Sequence, residues 1–245
     1  MKRLTGVCLL LWCAAYPAVC QDRGRVPVLV ELFTSEGCSD CPPADRLLEQ
    51  LDRTQPVPAA EIIVLSEHVD YWNSLGWKDP FSAHEFSLRQ EAYARRFRLS
   101  DIYTPQMVVD GGEELVGSDS RRAISAIGAA ARARKVSVRL SRVPQSVGSA
   151  ANLRVEMDGG LPGGDIYFVV ADNRDQSQVL RGENQGRSLQ HVAVVRRMQL
   201  LGKWDGRTAF SKDVAAGGPG SRTVVFVQEP GSGRVTSAAR LVAPQ

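Results

Sequence analysis

The stretch "ELFTSEGCSDCPPAD", Glu31 to Asp45, sets Cys38 and Cys41 two residues apart, directly after an apolar run and directly before two prolines. The run leading into it, "RVPVLVELFTS" from Arg25, is rich in β-branched residues and reads as a buried strand ending near Thr34. Beyond it, "ADRLLEQL" (Ala44 to Leu51) carries leucines at helical spacing and is stopped by a connection holding Pro56 and Pro58. The cysteines thus lie between a strand and a helix. A helix N-terminus offers partial positive charge and free N–H donors, which favour sulfur as the nucleophilic thiolate. The spacing also lets the second sulfur reach the first and close a tight disulfide. Pro42 and Pro43 cost little in an opening helical turn, where their missing N–H groups have no partner; a helix starting at Cys38 would be distorted by them. Glu36, Asp40 and Asp45 act in the opposite sense, since negative charge beside a thiol raises its pKa, and Arg46 is the one basic residue nearby. Spacing alone leaves three readings open: a redox pair, a metal clip or a disulfide staple.

At 245 residues the chain has room for one large domain or two ordinary ones, with a core that needs no stapling. Residues 1–20, "MKRLTGVCLLLWCAAYPAVC", have a basic start, an apolar stretch and small residues near Ala18, the layout of a secretory signal peptide cleaved near residue 20. Cys20 also raises a lipoprotein reading, which the bulky Val19 disfavours. The expected product is secreted or periplasmic, in an oxidising compartment, with no later segment apolar enough to span a membrane. Loss of Lys2 and Arg3 takes the formal charge from +3 to +1, so charge gives no argument for nucleic acid. Cys8, Cys13 and Cys20 leave with such a leader, and Cys38 and Cys41 remain. Two neighbouring cysteines point to local chemistry, where a small secreted framework would use four to eight. Nothing in the pattern specifies an oligomeric state.

Further along, "AEIIVLSEHV" reads as a second buried strand and "DYWNSLGWKDPF" as an aromatic-rich loop. "SAHEFSLRQEAYARRFRL" has Ser82 and Glu85 in a capping-box arrangement and Phe86, Tyr93 and Phe97 at helical spacing. "TPQMVVDGGEELVG" reads as a hairpin, and "SDSRRAISAIGAAARAR" as an Ala-rich helix. The order over residues 26–134 is β-α-β-α-β-β-α. Residues 135–245 change texture to short apolar or alternating runs punctuated by Gly, Pro, Asn and Asp, which predicts a small antiparallel β-sandwich-like domain.

Two polar segments remain. His68, Asp70, Trp72, Trp77 and Asp79 cluster at the predicted carboxyl end of the second strand, the ligand-binding edge of an open α/β sheet and the edge that carries Cys38. Trp72 and Asp70 are candidates for substrate recognition and His68 for a proton carrier or a third metal ligand; packing of the aromatics is the competing reading. "RGENQGRSLQHVAVVRR" holds Asn184, Arg187 and His191, which are candidates for an interdomain contact or a partner site; the favoured reading is a structured loop with Arg196 and Arg197 on a solvated basic face. His84 reads as a surface residue.

The segment "IYTPQMVVDGGEELVGSDSRRAISAI" resembles the thioredoxin superfamily, where a Thr-Pro segment leads into a strand, a Gly turn, a second strand and a final helix. That resemblance implies a cis proline at Pro105, with Thr104 facing the cysteine pair and an exposed backbone edge for a substrate strand. With "VELFTSEGCSDCPPAD", "HVDYWNSLGWKDPFS" and "RGENQGRSLQHVAVVR", the chain is identified as a member of a group of secreted thioredoxin-like proteins, the domain-of-unknown-function family numbered one-two-two-three. The resemblance covers nearly all of the chain after the leader. It implies an α/β thioredoxin-like fold with a C-terminal β extension and brings no established reaction. The chain departs from true thioredoxins in having no Trp before Cys38 and "SD" between the cysteines, so no redox potential carries over.

The leading expectation is therefore a thiol–disulfide oxidoreductase acting on protein thiols or disulfides, with no cofactor beyond its own disulfide. Cys38, nearer the strand end and the solvent, would attack; Cys41 would resolve the mixed disulfide; Thr104, Pro105, His68, Asp70 and Trp72 would line the substrate site. The alternatives are a copper or other soft-metal handling protein using Cys38, Cys41 and His68, and a binding module with a structural disulfide.

Overall fold

The computed structural model describes residues 24–143, 152–160 and 162–242; the expected signal peptide at 1–20 lies outside them. Strand β1 (Val26–Thr34) is the middle of the first half of the molecule. It pairs in parallel with β2 (Ala60–His68), from Val26 opposite Ala60 to Thr34 opposite His68. On its other side it pairs antiparallel with β3 (Gln106–Val109), which continues through a hairpin into β4 (Glu113–Val116). Helices α1 (Pro42–Thr54), α2 (His84–Phe97) and α3 (Ser120–Ala130) connect these strands.

Alternation along β1 sorts its residues between two faces. Val28, Val30 and Leu32 join Leu47, Leu48 and Leu51 of α1 and Ala123 and Ile127 of α3. Leu29 meets Phe86 of α2, and Phe33 meets Tyr93 one helical turn pair further on. A strand covered by helices on both sides must be apolar at nearly every position, which is why its sequence runs without polar alternation.

The second half adds β5 (Val138–Val143), β6 (Asn152–Met157), β7 (Gly164–Gln178), β8 (Ser188–Trp204), β9 (Phe210–Ala215), β10 (Ser221–Gln228) and β11 (Val235–Val242). Four of these extend the first sheet, giving the order β11-β10-β7-β8-β2-β1-β3-β4, a mixed eight-stranded sheet. The other three form a sheet β5-β6-β9 that packs through Leu153, Val155, Met157 and Val214 onto Ile166, Phe168, Val225 and Val227. The arrangement is sandwich-like, with one difference from the sequence reading: the helices stop near residue 134, but the sheet continues across that point through the parallel contact of Ser66 with Val194.

Local signals hold in part. Asp110 and Gly111 both take positive φ, 50° and 58°, in the hairpin turn, and a Cβ on Gly111 would lie 2.2 Å from the Gly233 carbonyl oxygen. The capping box at Ser82 and Glu85 does not form. The N-cap of α2 is Ala83 with no side-chain bond, because the Ser82 hydroxyl is taken by the Asp79 carbonyl and by the amide of Asn73. The aromatic segment read as a loop includes a short 3-10 turn, Tyr71–Leu75.

One polar residue interrupts the inner face of β1. Glu31 is fully buried and receives hydrogen bonds from Arg89 Nε at 2.6 Å and from the Tyr93 hydroxyl at 2.6 Å. Glu67 on β2 lies 3.6 Å from the same guanidinium, and burial followed by the neighbouring Glu31 pushes its pKa well above the usual carboxylate range. One cation therefore serves two buried acids. Replacing Arg89 with Met is expected to destabilise the protein by about 3–5 kcal/mol, the cost of leaving a buried charge uncompensated. Urea unfolding measures it, and a loss under about 1 kcal/mol would show that the acids are satisfied without Arg89.

Candidate functional site

The site begins where β1 and β2 end together. After Thr34 the backbone turns, with Cys38 N–H donating to the Ser35 carbonyl at 3.2 Å and Cys41 N–H to the Cys38 carbonyl at 3.3 Å. Cys41 is the N-cap of α1, and Pro42 and Pro43 occupy its first positions, so the prolines fall in the opening turn where they do no harm. Cys38 and Cys41 form a disulfide across Cα atoms 5.4 Å apart.

Both cysteines are sealed. Cys38 is 1% exposed and Cys41 0%, so Cys38 is not the solvent-facing member that the sequence suggested. The cover is the tip of the β7–β8 hairpin. Asn184, itself fully buried, donates through Nδ2 to the carbonyls of Glu36 at 2.8 Å and Cys38 at 2.9 Å. Glu183 accepts from Ser39 N–H at 3.1 Å, and Arg187 holds the Asn184 amide oxygen at 3.0 Å. The segment read as a structured loop, with a contact between the two halves as its other reading, thus makes that contact, closing over the cysteine turn. Its signal was an Asn between turn residues, and the partner it satisfies lies 146 residues away, beyond any local pattern.

A second wall comes from Trp72, Thr104 and Pro105. Trp72 Nε1 donates to Thr104 Oγ1 at 2.8 Å, and the Thr104–Pro105 peptide is cis. Gly37 sits against Trp72: a Cβ there would lie 3.0 Å from the Trp72 Cβ. Gly117, whose N–H donates to the Pro105 carbonyl at 2.9 Å, leaves room for Pro105 and for Ala44 in the first turn of α1, each 3.1 Å from where its Cβ would be. These contacts bring Trp72 beside the residue preceding Cys38 and Pro105 beside the helix that follows Cys41.

The remaining candidates separate. His68 is buried at the end of β2, its Nδ1 2.7 Å from Asp79 Oδ2, which also accepts from Glu36 N–H at 2.8 Å. Burial pushes the Asp79 carboxyl up, but His68 and the backbone N–H groups of Glu36 and Phe81 bring it below its ordinary value. Asp70 turns the other way and accepts from the Ser87 hydroxyl at 2.6 Å in the first turn of α2, with exposed His84 at 3.2 Å. Among the described residues no three His, Cys, Asp or Glu side chains are grouped to hold a metal ion.

The acidic residues around the pair are not left unopposed. Glu36 is fully buried and receives bonds from Trp77 Nε1 at 2.8 Å and from the Ser177 hydroxyl, and its Oε1 lies 3.2 Å from His191 Nε2. Asp45 accepts from Thr34 Oγ1 at 2.9 Å, and its Oδ1 is 3.9 Å from His191 Nδ1. Burial pulls the His191 pKa down, but Asp45 and Glu36 override it and raise it to about 10. Sequence reasoning singled out His191 but not its pairing with Glu36 and Asp45, because it arrives from β8, over 150 residues downstream of Glu36.

These features define an α/β protein with a large mixed sheet and a buried disulfide between cysteines two residues apart at a helix N-terminus. The chain belongs to the family described as "Protein of unknown function (DUF1223)", whose model matches residues 29–228. It is similar to a crystal structure of a protein from Agrobacterium tumefaciens, at 25% identity and a TM-score of 0.72, covering 90% of this chain and 96% of that one. No curated protein matches it. Among the described residues no helix is long and apolar enough to cross a membrane.

If the hairpin tip is what shields the disulfide, Asn184→Ala should speed its reduction by dithiothreitol roughly tenfold, the equivalent of two lost hydrogen bonds at about 0.5–1.5 kcal/mol each. Alkylation of the released thiols followed by mass spectrometry measures the rate. An unchanged rate would sink the assignment of the cover to Asn184.

Proposed function

We propose that the protein is a thioredoxin-like thiol–disulfide oxidoreductase working outside the cytoplasm, secreted or periplasmic after loss of a leader near residue 20, with Cys38 and Cys41 as its redox pair. The observation that carries this reading is the disulfide itself, closed over the N-terminus of α1 with Pro105 and Trp72 on its flank. Supporting it is the arrangement of residues 26–130: the element order with β1 and β2 parallel, β3 antiparallel beside β1, α1 and α3 on one face and α2 on the other. In the exchange, a thiolate attacks one sulfur of the pair, the S–S bond breaks, and the other sulfur leaves as thiolate; the helix N-terminus favours that charge. Thr104 and Pro105 would present the backbone edge to a protein substrate.

A structural disulfide is the second reading, and the burial of both sulfurs favours it. The two part in one experiment. Catalysis predicts reduction of insulin or refolding of scrambled ribonuclease that is lost in Cys38→Ser, together with a pair that equilibrates with a glutathione buffer. A potential below about −300 mV with no activity would overturn the oxidoreductase reading and leave a staple. Saturable copper binding that weakens in His68→Ala would overturn it in favour of metal handling.

A further inference from the structure

His191 occupies an unusual place. It comes from β8, yet it is 3.2 Å from the carboxylate two residues before Cys38 and 3.9 Å from the carboxylate four residues after Cys41. It is 3% exposed, so water screens neither contact. Its Nδ1 has no hydrogen-bond partner in spite of that burial. Glu36 and Asp45 bracket the cysteine pair in the chain, and His191 is the basic side chain that lies between them.

Every element around it presents a titratable or charged group. Glu36 comes from the turn after β1 and Asp45 from α1. From β2, His68 meets it edge to face with ring centroids 4.6 Å apart and is itself tied to Asp79. From β7, Asp175 is its cross-strand partner, paired in turn with Arg196 at 3.2 Å. The two acids that flank the cysteines in the chain would by themselves disfavour a thiolate.

We propose that His191 is the positioning residue of the cysteine pair, a cation inserted between Glu36 and Asp45 that offsets their charge and so favours the Cys38 thiolate in the reduced protein. The inference rests on the reading of Cys38 and Cys41 as a working thiol pair. The proton lost from Cys38 Sγ goes to the buffer, and the group that changes its worth is the imidazolium, which stays charged because burial is overridden by the two acids around it. A histidine that only filled space would leave the thiol ionisation where it was.

The test uses the full chain carrying Cys41→Ser, which frees Cys38 without any reductant, and follows iodoacetamide labelling of the Cys38 peptide against pH. The plateau rate reads access, and the midpoint reads charge. His191→Gln is expected to raise the midpoint by at least one pH unit, a tenfold loss of thiolate at a given pH. Asp45→Asn, which keeps an oxygen for Thr34, is expected to lower it. Midpoints that do not move, or that move in the same direction in both variants, would overturn the proposal. Should His191→Gln fail to fold by near-ultraviolet circular dichroism, Asp45→Asn decides alone: a lower midpoint supports the proposal and an unmoved or higher one overturns it. Opposed shifts in a protein without exchange activity would fail the oxidoreductase reading and leave the role of His191; unmoved midpoints in an active protein would do the reverse.

Discussion

The pairing of Thr34 with His68 at the shared end of β1 and β2 is the constraint on which the site depends. It stops both strands at one level, so the turn carrying Cys38 and the segment carrying Trp72, Trp77 and Asp79 leave the sheet side by side. Asp79 then closes that edge by accepting from His68 on one strand's end and from Glu36 N–H after the other. The third strand at this edge, β8, touches β2 at Val194. Between that contact and His191 stands Ala193 with φ 51°, a left-handed backbone that few side chains other than glycine adopt without cost. It separates the stretch of β8 that meets β2 from the stretch that reaches the cysteine turn.

Much of this was readable where the signal is local. The continuous apolar run of β1, the leucine spacing of α1 and the place of Pro42 and Pro43 follow from periodicity and from the missing N–H of proline, which act within a few residues. The hairpin at Asp110 and Gly111 follows from φ preference in the same way. Where a side chain has a choice of partners the local pattern fails: Ser82 could cap α2, but Asp79 and Asn73 compete for its hydroxyl and win. The charge around the cysteines was only partly legible for a related reason. Counting neighbours in the chain finds Glu36, Asp40, Asp45 and Arg46; counting neighbours in space adds His191 beside Glu36 and Asp45.

The same limit applies to the sheet. Residues 135–245 read as a separate β unit because their composition changes, yet composition reports what a strand is made of and not which edge it joins. Buried polar pairs mark the joins. Lys135 Nζ donates to Asp110 at 2.7 Å and to the Val235 carbonyl, fastening the start of the second half to the hairpin turn of the first and to β11. Arg89 reaches Glu31 on β1 and Gln228 on β10. Such contacts stabilise little relative to an apolar filling of the same space, but removing one partner leaves the other buried and unpaired, which penalises a slipped arrangement.

Closing a loop of four residues removes little freedom from the unfolded chain, about 2 kcal/mol in the loop-entropy account, and less where the native geometry resists. The core around it already includes Leu32, Leu47, Leu48, Leu51 and Met107, all buried, in a chain long enough to fold without staples. Against that small gain stand the costs of the turn: buried Glu36 and Asp45, a buried imidazolium to balance them, and an Asn184 amide spent on covering two carbonyls. A plain staple needs none of these. Under the proposed exchange each would have a use: the cover would keep the pair shut, and the imidazolium would balance charge when it opens.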